Sequence, residues 1–483
     1  MPISLSPSTI LSGQGIDVNS LVQQIISEKT GELSVWQGQQ TTFANQDGLL
    51  SGIENNLTSL QTAVAALASP TGALTAQVAA SSQPGVLTAV ADSSAVSATH
   101  QVVVTSLATT GTLYTDPVAA GADTSFLTGG LTTGSIQLQV GSASGTTRSI
   151  AITKGSDDTL NTLASYINTQ STANDWGLTA SVVSDASGSR LALFSQASGS
   201  AGALAIGSNT NTTLTFDTPL GGTNAALIVD GVPFSSSSNT VTGAIQGVTL
   251  SLASQSPGDL VQLTVGPDTG QITNAVNNFV SAYNNLVSTN NTQYAVDPTG
   301  VAPAPPLESN LSLRSVQSSI LADAAYSIRG NSGLVNLASL GINTNNDGTL
   351  TVGSNALGQT FAQVLAANPS AVQNFFQSTS GTGFANSFNT DLTNLTSPTQ
   401  GPLNAELTQN QAEQQDLTTT INNFDVQITA ETAQLTSQYD SVNAALQSYP
   451  LLLQEVTQTL GTLGSSGGTS TTSSSSPILT QGL

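Results

Sequence analysis

The chain reads as an α+β multidomain protein in which N- and C-terminal helices form a coiled-coil leg and two mainly β head domains are inserted between them. Three observations predict this. Apolar residues near both ends recur in steps of three and four, which marks helices burying a narrow seam. Between those ends the apolar period falls to two, which marks strands. The resulting order of helix, sheet, inserted unit, sheet and helix brings the two ends back together.

The C-terminal seam runs through Leu417, Ile421, Phe424, Ile428, Leu435, Tyr439, Val442, Leu446, Tyr449, Leu453, Val456, Leu460 and Leu463. Carboxylates lie between these positions, from Glu406 to Glu455, but no Lys or Arg, so opposite-charge pairs cannot form inside the segment. At the other end Trp36, Phe43, Leu50, Leu57 and Val64 stand seven apart, with Ile53, Leu60 and Leu67 in the complementary positions. Each seam needs cover, and each is the most economical cover for the other. The seam and contact residues expected to matter most are Trp36, Phe43, Leu50, Leu57, Val64, Leu435, Val442, Leu446, Leu453 and Leu460.

Seven segments follow from this reading. They are a loose leg segment (1–30), the first part of the helical domain (31–72) and the first part of the β head (73–115). An inserted outer head domain (116–219), the second part of the β head (220–268), the second part of the helical domain (269–440), and a leg helix with a flexible tail (441–483) complete the chain. Asp17 is placed to cap a helix through Leu21, Val22, Ile25 and Ile26. Gly38, Gly48 and Gly52 each weaken the next helix by ~1 kcal/mol relative to Ala, and Pro70 and Gly72 end it. Strands are expected at Val86–Ala91 and Gln101–Leu107. In the insert, strands at 136–140, 149–152, 178–183 and 190–195 flank one helix, with Asp157 or Asp158 as its cap. Strands return at 226–234, 248–252 and 261–265, and helical spacing resumes at Ile272, Val276, Phe279, Tyr283 and Leu286. A Pro-rich break at Ala302–Pro306 precedes a helix around 313–325. The segment Asn343-x-Asn345-x-Asp347-Gly348 opens like a calcium loop, but Ser354 stands where a bidentate Glu belongs, so it reads as a hairpin turn.

Composition closes off several functions. Six Lys plus Arg against 28 Asp plus Glu leave a net charge of −22, too few cations to neutralise phosphates, and anionic membranes are disfavoured for the same reason. No Cys is present, which excludes disulfides and thiolate metal sites. The first seven residues carry no basic residue ahead of an apolar run, so no Sec-type signal is expected. No stretch reaches the ~20 apolar residues of a membrane span. His100, the single histidine, heads a strand with no nucleophile or orienting carboxylate in view, and reads as structural. No nucleotide loop, metal cluster or activated nucleophile appears, so neither an enzyme nor a cofactor is expected.

Several motifs, in their order, resemble the bacterial flagellar filament-capping family, hook-associated protein 2. They are Gly15-Ile-Asp-Val-Asn-Ser-Leu-Val, Val229-Asp-Gly-Val-Pro-Phe, Asn239–Leu250, Phe279–Leu286 and Leu340–Leu350. Residues 134–194 are similar to the repeat shared by flagellins and hook-associated proteins. The departure is charge, since the family usually carries Arg and Lys in its terminal helices. The resemblance implies a structural cap at the tip of the flagellar filament that helps flagellin fold and insert. It implies a subunit secreted through the flagellar export apparatus with a chaperone, and a homo-oligomeric ring of about five copies. Host-surface glycans are a further partner that the Ser/Thr-rich middle permits, with neither nucleic acid nor membrane insertion. A flagellin-like or hook–filament junction protein would share the terminal seams but not the Asn239–Leu250 and Phe279–Leu286 motifs. A free-standing surface adhesin would carry a cleavable signal or an anchor.

Overall fold

The computed structural model describes residues 17–141, 145–295, 299, 303–378 and 382–465. Residues 1–16, Ala302, the tail from 466 and the side chain of Leu463, all given roles by the sequence, lie outside the described residues. The chain divides into two compact units. The first takes the segments up to Thr58, Asn285–Ile320 and from Leu392 on; the second takes Ser59–Asn284 and Leu321–Asp391.

Helix α1 (Val18–Lys29) starts where Asp17 accepts a hydrogen bond from the Ser20 amide at 3.1 Å. This is the helix that the Asp17 cap and the spacing of Leu21, Val22, Ile25 and Ile26 predict, and it lies within the 1–30 leg segment. Helix α2 (Gly31–Ala68) follows and ends just before Pro70. Strands β1 (Gln77–Ser81), β2 (Leu87–Ala91) and β3 (Ala98–Ser106) precede the insert. The insert contributes β4 (Thr110–Tyr114), β5 (Thr133–Val140), β6 (Thr146–Thr153), α3 (Leu160–Asn174), β7 (Leu178–Asp185), β8 (Gly188–Ser198) and β9 (Leu204–Thr210). Strands β10 (Ala225–Val229), β11 (Val232–Ser236), β12 (Thr240–Ile245), β13 (Val248–Leu252) and β14 (Val261–Pro267) return to the head. Helices α4 (Thr269–Thr292) and α5 (Leu311–Ala324), the hairpin β15 (Ile342–Thr344) and β16 (Leu350–Val352), and helices α6 (Phe361–Ala367), α7 (Pro369–Gln377), α8 (Phe384–Leu395) and α9 (Pro402–Ser465) complete the order. Helix α9 runs unbroken across residue 440, where the sequence suggested a division.

The head is a pair of antiparallel sheets, β1-β14-β3-β10-β11 and β12-β13-β2. Alternate residues point inward, as a period of two requires. Val102 and Val104 of β3, Leu227 of β10, Leu250 of β13 and Leu263 of β14 meet in one core. The β10–β11 turn uses Asp230 (φ 50°) and Gly231 (φ 83°), the two successive left-handed residues of a tight hairpin. The insert has its own core. Sheets β4-β8-β7 and β6-β5-β9 pack with Leu160, Leu163 and Ile167 of α3. Its chain enters and leaves at Thr109 and Thr223, whose backbones hydrogen-bond at 2.9 Å, so β4 belongs to it although it lies upstream of residue 116. The cap of α3 also differs from expectation. Thr159 accepts from the Thr162 amide while the Thr162 hydroxyl satisfies the Thr159 amide. Asp158 is instead buried one residue earlier, accepting from the Gly155 amide, and the Ser125 hydroxyl holds its carboxyl below the usual range.

In the second unit an aromatic cluster forms the helical core. Phe384 of α8 stacks on Phe375 of α7 at 5.6 Å and meets Phe279 of α4 edge-on at 5.5 Å. Gln377 donates to the carbonyls of Leu67 and Ser69 at 3.0 and 2.7 Å, satisfying groups that the end of α2 leaves free.

Candidate assembly surface

The first unit contains the pairing that the terminal seams required. Trp36 of α2 meets Phe424 of α9 edge-to-face at 5.2 Å. Gln40 donates to the Thr418 hydroxyl at 2.7 Å. The Asp47 carboxylate accepts from Asn410 at 3.0 Å and from Gln414 at 2.7 Å. Lys29, at the end of α1, pairs with Glu431. Partners rise along one strand of the pairing as they fall along the other, so the helices run antiparallel. The Lys29–Glu431 pair is exposed, and an exposed pair contributes at most about 1 kcal/mol. Aromatic and amide contacts therefore hold this seam.

The predicted contact residues separate into groups. Leu50 and Leu57 are fully buried in the first unit, and Val64 is fully buried in the second. Trp36, Phe43, Leu435 and Leu446 are half-buried. Val442, Leu453 and Leu460 are exposed, Leu460 at 62%. Around the last two, Tyr449, Leu451, Leu452 and Val456 are exposed as well. Tyr449, Leu453, Val456 and Leu460 follow steps of four, three and four, so they line one face of α9. That face is an apolar stripe turned to solvent, on a helix without a cation.

The sequence reading missed Asp47, Asn410 and Gln414. A polar trio inside an apolar seam sends no periodic signal, because each residue type is equally at home on a solvated helix face. It also missed what the shared motifs do. Asn239 clamps the backbone of Ala108 from both sides, its carbonyl accepting at 2.7 Å and its amide donating at 3.0 Å. Asn284 does the same to Leu350, with both bonds at 2.7 Å, and so fixes the β15–β16 hairpin on α4. That hairpin carries the Asn343–Gly348 segment, whose Asp347 accepts from the amide and hydroxyl of Thr349 as a turn residue does. His100 has the orienting carboxylate that the sequence could not place: Asp230 Oδ2 lies 2.7 Å from its Nδ1, and Asp230 Oδ1 accepts from the Gln101 amide. The His100 hydrogen bond, then the Gln101 amide, hold the Asp230 carboxyl below the usual range. The cleft beside the pair is lined by Val229, Val232, Phe234, Ala244, Ile245 and Gln246, which supply no hydroxyl nucleophile. The pair ties the β10–β11 turn to β3.

Among the described residues, no group of three or more His, Asp or Glu side chains could hold a metal ion. No described helix is long and apolar enough to cross a membrane. Part-buried amide clamps and an apolar helix face turned to solvent are features suited to a subunit that assembles with others. Comparison with known proteins gives the family. The model of the flagellar hook-associated protein 2 N-terminus matches residues 14–111, and that of its C-terminus matches residues 222–450. The B-type flagellar hook-associated protein 2 of Pseudomonas aeruginosa is 28% identical over 481 residues, covering 94% of this chain and 97% of that protein. The polar flagellar hook-associated protein 2 of Vibrio parahaemolyticus is 32% identical over 170 residues, covering 34% of this chain and 24% of that protein. In fold the chain is similar to the D1-D2-D3 domains of the flagellar cap protein of Escherichia coli. The TM-score is 0.58 at 23% identity, with 75% of this chain and 99% of that one covered. The chain belongs to the flagellar hook-associated protein 2 family, a structural family, and is a flagellar filament cap protein.

Proposed function

We propose that copies of this chain assemble into a ring of about five subunits at the distal end of the filament, and that the Tyr449–Leu460 face of α9 is the surface by which each subunit engages flagellin and its neighbours. The observation that carries this is the exposure of Leu453 (49%) and Leu460 on a face with coiled-coil spacing. Burying one such Leu contributes roughly 1.5–3 kcal/mol, so a stripe of four apolar side chains dominates any contact this helix makes. The chain itself brings carboxylates but no cation to that helix. The subunit reaches the tip by export in an unfolded state through the flagellar secretion channel, escorted by a chaperone. A chain without Cys has no disulfide to oppose that passage.

The test is a complementation experiment with Leu453, Val456 and Leu460 all changed to Ser. The protein should be exported normally and its sheet domains should stay folded, because these side chains are already exposed. The cells should release flagellin monomers into the medium and grow no filaments. Normal-length filaments in that strain would show that the stripe is not the engaging surface.

A further inference from the structure

Helix α9 changes its surroundings at one residue. Before it, Leu435, Tyr439, Asn443 and Leu446 are each partly shielded, one per turn. Pro450 is the last described residue of the helix that is shielded at all, and residues 451–462 are exposed without exception. The described side-chain hydrogen bonds beyond it, from Thr457, Thr459 and Thr462, all return to carbonyls of α9 itself. Pro450 also lies inside the helix rather than at its start. It has no N–H to offer the Leu446 carbonyl, and its ring crowds that carbonyl, so the hydrogen-bond ladder is interrupted there. In the same turn the Ser448 hydroxyl donates to the Ala445 carbonyl at 2.7 Å, a local bond that competes with the ladder and favours a bend. Sharp bends in helices arise at such positions. The interruption of the backbone and the loss of lateral support fall together, at the root of the Tyr449–Leu460 stripe.

We propose that Pro450 is a hinge, about which residues 451–465 swing as one arm against the part of α9 held by α1 and α2. This rests on the reading of the Tyr449–Leu460 face as the engaging surface, and adds how that face is aimed. A straight helix would point Leu453, Val456 and Leu460 in one direction, fixed by the pairs Trp36–Phe424 and Lys29–Glu431 further back. The hinge lets the same three side chains turn toward a flagellin subunit or toward a neighbouring copy, which lie in different directions from any one subunit of a ring. The swing breaks no packing within the subunit, because the arm has no shielded residue beyond its root.

The absence of Cys makes the hinge measurable in the full chain. Gln438→Cys and Gln458→Cys put two spin labels on exposed positions, one on each side of Pro450. A straight helix would hold them roughly 30 Å apart, at about 1.5 Å per residue. Double electron–electron resonance should give a broad distribution that reaches well below that length. Pro450→Ala in the same background should collapse it to one narrow peak near the straight-helix distance. Distributions equally broad, or equally narrow, in the two proteins would overturn the hinge. In complementation, Pro450→Ala should leave export unchanged and shorten filaments at least about twofold, while Pro450→Gly, which keeps the joint loose, should restore near wild-type length. Wild-type length with Pro450→Ala would overturn the hinge as an aiming device. The strain with Leu453, Val456 and Leu460 all changed to Ser separates the two claims. If it grows no filaments while the label distances show no hinge, the engaging face stands and the hinge alone falls. If it grows normal filaments, the engaging face falls whatever the distances show.

Discussion

The two ends of α9 carry the same spacing of apolar residues and meet opposite fates. From Leu417 to Ile428 the seam is half-buried, with Phe424 against Trp36 and the Thr418 hydroxyl accepting from Gln40. From Tyr449 to Leu460 equally regular residues stand in solvent. Periodicity therefore reports that a face is made to be covered. It does not report whether the cover lies in the same chain. Uncovered apolar surface of this kind marks an interaction site.

The largest expected effect separates these regions by phenotype, since the exposed stripe should abolish filament growth without unfolding the subunit. The next effects reverse that pattern. Phe384→Ala should remove the ring that stacks on Phe375 and meets Phe279, costing about 3–5 kcal/mol in urea unfolding. Leu57→Ala should cost about 2–5 kcal/mol, whereas Leu453→Ala should stay within about 0.5 kcal/mol, because Leu57 is fully buried and Leu453 is half in water. Equal losses for those two leucines would erase the distinction between the seams.

A second contrast sets the insert against the head. Their cores are separate, and the chain passes between them at Thr109 and Thr223. Replacing residues 110–222 with a short Gly-Ser linker should leave cooperative unfolding of the remainder, and its loss in calorimetry would join the two cores. The smallest expected effect is at the covered seam. Lys29→Gln should cost less than about 1 kcal/mol, and the difference from wild type should shrink as salt is raised.

The terminal helices, the head strands and the hairpin at Asn345–Thr349 were legible because each repeats a pattern over many residues or ends in a turn with special backbone angles. The helices α6, α7 and α8 were not. They are 7, 9 and 12 residues long, and Pro369 and a run rich in Gly, Ser and Asn break their spacing. Their aromatic residues identify a core only once α4 is known to lie beside them. The His100–Asp230 and Asp47–Asn410 contacts were hidden for another reason: 130 and 363 positions separate the partners, so topology alone brings them together. Of the candidate surface, the spacing of Leu446, Leu453 and Leu460 was visible, and the exposure of the last two was not.

The central claim is that residues 449–460 form a surface awaiting cover from other subunits. Hydrogen exchange of the full chain, free and then bound to filament ends, tests it most directly. The account predicts fast exchange over 449–460 in the free subunit, strong slowing on filaments, and little change at 417–428. Equal protection of 449–460 in the free and bound states would contradict it.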